Sequence, residues 1–312
     1  MKVVVTGAAG FIGSHVAESL LADGHEVVGI DCFTDYYPRP LKEANLRGLR
    51  ASARFRLVEA CLQEADLAPL LDGAEHVYHL AAQAGVRASW GRDFALYTDH
   101  NVLATQRLLE AALAAGRPKV VYASSSSVYG DAPSLPLRED GPCQPISPYG
   151  VTKLAGEHLA VLYHRNHGLP TVSLRFFTVY GPRQRPDMAF HRFLKAARQG
   201  DEVTVFGDGR QTRDFTYVAD VVTAVRTAPL SGRPGSVYNV GGGERVALNE
   251  VLRVIESVTA RPLHVRRQEA QKGDMRDTFA DTAAARRDLS FRSTVPLAEG
   301  LAREWEWIGG LP

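Results

Sequence analysis

Short apolar runs alternate with longer amphipathic stretches through the first half of the chain. The apolar runs, rich in valine, isoleucine and leucine, fall at residues 3–5, 27–30, 54–58, 76–80 and 120–123. Between the runs, apolar residues recur three and four positions apart, notably over residues 11–22, 99–115 and 148–165, which is the spacing of one helix face. Strands that alternate with helices are typical of a parallel sheet with crossover helices. With a further strand predicted at residues 172–177, the pattern predicts a doubly wound α/β fold.

The regular alternation ends near residue 180. Glycine and proline clusters then separate shorter elements, with helices predicted at residues 190–199, 218–228 and 248–259 and a strand at residues 237–240. We therefore expect a first domain over residues 1–175 and a smaller C-terminal α/β lobe over residues 176–312. The strand at 237–240 is expected to return to the main sheet, so that the two parts interleave.

The nearly equal numbers of positive and negative residues argue against some classes of binding partner. The 312 residues contain 36 Lys and Arg against 35 Asp and Glu, with no basic block of the kind that neutralises nucleic-acid phosphates. The apolar run at residues 3–5 is too short for a signal peptide or a membrane span. We therefore expect a cytoplasmic protein with no nucleic-acid and no membrane partner. The three scattered cysteines and the histidine spacings match no metal motif, so no metal is expected.

A glycine-rich turn follows the first predicted strand and opens the first helix. Gly7, Gly10 and Gly13 stand where a tight turn and a close approach to a pyrophosphate are needed. Asp31 ends the second predicted strand, where an acid hydrogen-bonds the adenosine ribose and repels a 2′-phosphate. Together these residues predict a Rossmann-type domain that binds NAD rather than NADP.

Tyr149 and Lys153 lie four residues apart, on one face of a predicted helix. Ser147 and Pro148 are the signals for the start of that helix. A neighbouring ammonium favours the phenolate form of a tyrosine, which can then remove a hydroxyl proton as hydride leaves for NAD. Four serines at residues 124–127 follow the predicted strand at 120–123. We expect the hydroxyl of Ser125 to hydrogen-bond the reacting oxygen.

These segments, with TRDFTYV at residues 212–218, resemble the extended short-chain dehydrogenases and reductases that act on nucleotide sugars. The resemblance covers nearly the whole chain and implies that Tyr149 and Lys153 also contact the cofactor. The full cofactor set that it implies adds these residues to the glycines and Asp31: Phe11, Ile12, Leu62, Leu80, Ala81, Ala82 and Phe176. The chain departs from the family at residues 60–62, where relatives often carry Gly-Asp and this chain has Ala-Cys-Leu.

The serine segment indicates which of the reactions catalysed by this family the chain can perform. Its 4,6-dehydratases carry Thr-Asp-Glu before Val-Tyr-Gly and its UDP-glucuronate decarboxylases place a Glu there, whereas this chain has Ser125, Ser126 and Ser127. Elimination and decarboxylation therefore lose their expected acid or base. Epimerisation requires only oxidation at C4, rotation of the keto-sugar and return of the hydride, so NAD is expected to stay bound through each turnover.

Two further segments, residues 35–38 and 175–189, look like those of UDP-glucuronate 4-epimerases, whereas UDP-glucose 4-epimerases usually have Asn at the position of Thr178. Ser126, Ser127 and Thr178 are small donors that could surround a C5 carboxylate, and Arg185 adds a cation. For the nucleotide, the resemblance implies that Arg213 contacts the diphosphate and that the segment 271–274, with Asp274, reaches the ribose. It implies uracil contacts from the backbone near Ala189, Phe190, Val205 and Phe206, and a further substrate contact from Arg276.

Two other functions remain open from the sequence. One is a UDP-glucose/galactose 4-epimerase, and the other is a non-catalytic NAD-binding regulatory protein, against which the Tyr149 and Lys153 pair argues. The helices at residues 94–115 and 149–165 resemble the pair through which relatives dimerise. We therefore expect a homodimer that takes a UDP-sugar as substrate.

Overall fold

The computed structural model describes residues 1–131, 134–269 and 273–311 of the protein. Its strands are β1 Lys2–Thr6, β2 Glu26–Asp31, β3 Phe55–Glu59, β4 Ala74–His79, β5 Lys119–Ser125, β6 Thr171–Phe176, β7 Thr178–Tyr180, β8 Glu202–Phe206, β9 Thr212–Tyr217, β10 Ser236–Val240, β11 Arg245–Ala247 and β12 His264–Gln268. Its helices are α1 Phe11–Ala22, α2 Arg39–Arg50, α3 Ala68–Leu71, α4 Phe94–Tyr97, α5 Ala104–Ala114, α6 Pro148–His167, α7 Ala189–Gln199, α8 Val218–Ser231, α9 Leu248–Thr259, α10 Ala283–Leu289 and α11 Leu297–Gly309.

Seven parallel strands form the central sheet, in the order β10-β6-β5-β4-β1-β2-β3. Successive residues of β1 point to opposite faces, so Val3 and Val5 pack in one buried layer and Val4 in the other. The first layer includes residues of α1 and α8, and the second includes residues of α3 and α5. Burial on both faces explains why these strands read as nearly continuous apolar runs. The predicted doubly wound, Rossmann-type fold is confirmed.

Strand β10 lies beside β6 in the main sheet, with Tyr238 opposite Leu174. The smaller sheets are β11-β9-β7 and β12-β8. The chain thus crosses from the main sheet to the smaller ones after β6 and comes back through β10. The division into residues 1–175 and 176–312 stays a prediction.

The long helix predicted from residue 99 differs from the observed element. A π-helical turn, Thr98–Leu103, joins α4 to α5. Within it the amide of Asn101 turns inward, where it accepts from the backbone N–H of Gln83 at 2.8 Å and donates to the Gln83 carbonyl at 3.0 Å. These hydrogen bonds to Gln83 give a physical reason for the altered helical register. A local sequence pattern does not reveal them, because they join residues that are distant along the chain. None of the helices in the described ranges is both long and apolar enough to cross a membrane.

Candidate active site

The turn between β1 and α1 depends on glycine for close packing. Gly7 has a φ of 71°, and a Cβ built on it would lie 2.9 Å from the backbone nitrogen of Ala81. A Cβ on Gly13 would lie 2.0 Å from the carbonyl oxygen of Gly7. Gly10 begins α1 without a side-chain cap, so the first N–H groups of this helix are available to an anion.

Asp31 lies at the carboxyl end of β2, and two backbone N–H groups hold its carboxylate. Ala9 N donates to Oδ2 at 3.0 Å and Phe33 N donates to Oδ1 at 2.9 Å. Burial raises the pKa of Asp31, and these two hydrogen bonds oppose that shift. Lys42, from α2, adds a nearby positive charge. The carboxylate is therefore fixed in direction at the edge of the glycine turn.

One cavity runs along the carboxyl ends of β1, β2, β4 and β5. Every residue that the sequence assigns to the cofactor lines it: Gly7, Gly10, Phe11, Ile12, Gly13, Asp31, Leu62, Leu80, Ala81, Ala82, Tyr149, Lys153 and Phe176. The tight glycine turn, the uncapped first N–H groups of α1 and the fixed carboxylate of Asp31 together fit a dinucleotide. Their roles as ligand contacts stay predictions.

Tyr149 and Lys153 stand in the first turns of α6, where the Ser147 hydroxyl accepts from Gly150 N at 3.1 Å and caps the helix. Lys153 is 3% exposed, and its Nζ lies 4.6 Å from the centre of the Tyr122 ring. Burial lowers the pKa of Lys153 to about 7, while Glu157 acts in the opposite direction. Lys153 thus lies at the cavity wall with its charged form disfavoured by desolvation.

The cation that lowers the pKa of Tyr149 in the structure is Arg185. Burial raises the pKa of Tyr149, whereas the charge of Arg185 and a hydrogen bond with Ser125 lower it. The sequence predicted the influence of Lys153 on this phenol and assigned Arg185 only to the sugar. In the structure, Arg185 therefore lies close enough to act on the proton-transfer residue as well.

The serine segment rests on a buried ion pair. Ser124 Oγ donates to Glu157 Oε2 at 2.6 Å, and Ser125 Oγ donates to Ser127 Oγ at 3.1 Å. Arg175 pairs with Glu157 below, at 2.6 Å between Nη2 and Oε1. The Ser124 hydroxyl is thus held by Glu157 of α6, whereas the Ser125 and Ser127 hydroxyls hydrogen-bond each other.

A second cavity adjoins the first, and both include Tyr149, Phe176 and Arg185 in their walls. Most residues that the sequence assigns to substrate line this second cavity: Ser125, Ser126, Ser127, Thr178, Arg185, Ala189, Val205, Phe206 and Asp274. The side chains of the catalytic and sugar-binding predictions are therefore brought to one place. Their contacts with substrate stay predictions.

Three predicted substrate residues are not in the wall of the second cavity, and their contacts with the nucleotide stay predictions. Phe190 is 1% exposed and packs against Phe215 at 4.6 Å between ring centres. The guanidinium of Arg213 donates to the carbonyl oxygens of Thr212 and Arg276, and the side chain of Arg276 is exposed. Residues 271 and 272 of the predicted ribose segment are outside the described residues.

Sequence reasoning missed Arg87 and Arg192, which also line the second cavity. Arg87 lies with its guanidinium 4.3 Å from the centre of the Phe206 ring and donates to Asp274 Oδ2 at 2.6 Å. Arg87 lies outside the long helices and strands and Arg192 lies in α7, and neither belongs to a recognised motif, so only the tertiary structure places them in the cavity wall. In the described part of the chain, no group of three or more His, Cys, Asp or Glu side chains could hold a metal ion.

Comparison with known proteins agrees with this geometry. The model of the NAD dependent epimerase/dehydratase family matches residues 3–241. The uncharacterized UDP-glucose epimerase YtcB of Bacillus subtilis is 46% identical, covering 100% of this chain and 99% of that protein. The probable UDP-glucuronate 4-epimerase of Rhizobium meliloti is 38% identical, over 98% of this chain and 96% of its own length.

A solved structure extends the likeness to three dimensions. The UDP-glucuronic acid 4-epimerase from Bacillus cereus, in complex with UDP-glucuronic acid and NAD, superposes with a TM-score of 0.96 at 43% identity, and the match covers 99% of both chains.

Proposed function

Because the chain belongs to the NAD-dependent epimerase/dehydratase family, we propose that it interconverts UDP-glucuronate and UDP-galacturonate by inverting the configuration at sugar C4. The observation that carries this proposal is the serine segment that faces the cavity beside Tyr149. The three positions before Val128 are serines, and the wall carboxylates of Asp187 and Asp274 are each paired with an arginine. Epimerisation needs no further carboxylic acid at this point, whereas elimination does.

The residues of the chain supply proton transfer and orientation. When bound, NAD supplies the hydride chemistry, taking hydride from C4 and returning it to the opposite face of the ring. Tyr149 removes the proton of the 4-hydroxyl and later gives it back, acting first as general base and then as general acid. Ser125 holds the same oxygen by a hydrogen bond. Lys153, buried beside Tyr122, holds the nicotinamide ribose.

The preference for an acidic sugar follows from the polar end of the second cavity. Ser126, Ser127 and Thr178 offer neutral donors to a C5 carboxylate, and Arg185 offers a charged one. A carboxylate held by several donors is stabilised as the anion. This arrangement also disfavours loss of CO₂ from the keto intermediate, because charge must leave the carboxylate in that reaction.

The second candidate is a UDP-glucose/galactose 4-epimerase, which the name of the Bacillus subtilis relative favours. The deciding experiment incubates purified protein with UDP-glucuronate or UDP-glucose, without added NAD, and measures the C4 epimer of each. The proposal expects UDP-galacturonate to form faster, with cofactor that copurifies. Faster turnover of UDP-glucose would establish the second candidate instead.

The proposal also includes the formation of a homodimer. Leu96 and Leu103, seven residues apart, and Val151 and Leu162, eleven apart, are 45 to 50% exposed on neighbouring helical segments. Val151 and Leu162, about three turns apart, lie on one side of α6, and Leu96 and Leu103 lie at the two ends of the neighbouring segment that contains the π-helical turn. Both segments thus present exposed apolar side chains. Light scattering should give twice the mass of one chain, and Leu103→Glu should lower it. The cytoplasmic location stays a prediction.

A further inference from the structure

Two segments that the sequence singles out, residues 35–38 and 175–189, meet at one cluster of side chains. The hydroxyl of Tyr36 donates to Asp187 Oδ2 at 3.1 Å. Arg185 donates to the same carboxylate through Nε and Nη2, each at 3.0 Å. Tyr36 follows β2 in the main sheet and Asp187 precedes α7, so the cluster joins the cofactor side of the site to the substrate side.

The pairing leaves one edge of Arg185 available. A guanidinium has five N–H donors in a rigid fork, and Asp187 engages the Nε edge. The fork is planar, so fixing that edge also fixes the direction of Nη1. Arg185 lines the second cavity together with Ser126, Ser127 and Thr178, and its side chain is 21% exposed. The cluster therefore presents a preoriented cation to a ligand in the cavity.

We propose that Asp187, held by Tyr36, is a positioning residue that directs the free edge of Arg185 toward the acidic group of the sugar and so sets the preference for an acidic over a neutral UDP-sugar. The inference rests on the proposed function. A carboxylate that only neutralised Arg185 would have the opposite effect, because its removal would leave a stronger positive charge for the acidic sugar.

The test compares Asp187→Ala with a matched control. Arg138 and Asp140 form the same pair two residues apart, with bonds of 2.9 and 3.0 Å, on the surface, so Asp140→Ala removes an equivalent pair away from the cavity. Calorimetry would measure the Kd of UDP-glucuronate, UDP-glucose and UDP for each variant. Asp187→Ala should weaken UDP-glucuronate about tenfold, as expected for a lost charge-assisted bond, and leave UDP-glucose and UDP within about twofold.

Asp187→Asn, which keeps an acceptor for Arg185, should recover part of the lost affinity, and Asp140→Ala should match the wild type. In kinetics, the effect should fall on KM for UDP-glucuronate. An unchanged ratio of the two Kd values, or tighter binding of UDP-glucuronate by Asp187→Ala, would overturn the positioning role. Failure of the wild type to epimerise UDP-glucuronate would instead overturn the proposed function, so the two failures are distinguishable.

Discussion

Glu157 and Arg175 form a bidentate pair, with Arg175 Nε 3.0 Å from Glu157 Oε2 and Arg175 Nη2 2.6 Å from Oε1. Both side chains are at most 5% exposed. Arg175 Nη1 also donates to the Tyr129 hydroxyl at 2.7 Å, and Ser124 Oγ donates to Glu157. The pair thus joins α6, which carries Tyr149, to β6 and to the serine segment.

Removing one partner of this pair should destabilise the fold strongly. Glu157→Leu leaves the Arg175 guanidinium buried without its counter-ion, and such changes cost about 3–5 kcal/mol. Urea unfolding at pH 7 would measure the loss. The double variant Glu157→Leu with Arg175→Met should recover part of it, because it removes both charges. A single variant that is as stable as the wild type would contradict this account.

Tyr149→Phe should abolish proton transfer while the site stays assembled. The phenyl ring keeps its edge contact with Tyr97, at 6.3 Å between ring centres, but the hydroxyl that moves the proton is gone. Loss of a general base lowers kcat by about 10² to 10⁴. Epimerisation of UDP-glucuronate would measure it, with the Kd of UDP as a control expected to be unchanged. Activity near the wild-type level would exclude the assigned role of Tyr149.

The sequence predicts the main sheet well because its strands are local, buried runs of β-branched residues. The sequence also identifies five candidate site residues for a related reason: Gly7, Gly13, Asp31, Tyr149 and Lys153. Each lies at a strand end or in the first two turns of a helix, and the sequence pattern that predicts the strands and helices also predicts those places.

The smaller sheets and part of the site depend on distant pairing. Thr178 lies opposite Phe215 across β7 and β9, and three-residue strands carry too few positions to show an alternating pattern. Arg87 was missed because its position in the cavity wall depends on the tertiary fold. The side chain of Phe190 is buried against Phe215, and the uracil contact assigned to the backbone near Phe190 stays a prediction. The effect of Arg185 on Tyr149 likewise exists only through the tertiary fold.

Gly13→Ala should prevent cofactor binding. The added methyl group would lie 2.0 Å from the Gly7 carbonyl oxygen, so the turn or the start of α1 must move. That displacement removes the close backbone approach that a pyrophosphate requires. Purified variant should contain little or no NAD when denatured and assayed. Gly116→Ala is a control for glycine substitution away from the cavity, since a Cβ there meets nothing within 4 Å. It should keep its NAD despite the strain of a φ of 85°.

His79 lies in a buried chain of hydrogen bonds that requires the neutral ring. Thr105 Oγ1 donates to the Asn101 carbonyl at 2.7 Å, so it accepts from His79 Nε2 at 2.9 Å. His79 Nδ1 must then accept from Thr6 Oγ1 at 2.9 Å. Protonation of Nδ1 would replace this acceptor by a donor. These hydrogen bonds connect β1 and β4 with the π-helical turn. The charge state of His79 therefore affects the stability of the fold.

Stability should therefore fall as the pH is lowered from 7 to 5, in part through His79. Burial, and next the charge of Lys153, lower the pKa of His79 from 6.5 to about 3. Between these values the unfolded chain binds the extra proton and the folded protein does not, so the contribution of the neutral ring is lost as the pH falls below 6.5. At pH 5 the loss amounts to about 2 kcal/mol. Urea unfolding of His79→Gln at pH 7 and 5 should show a drop smaller by about that amount, whereas His264→Gln, at an exposed position, should retain the wild-type drop. An equal drop in His79→Gln and the wild type would show that the ring is not the titrating group.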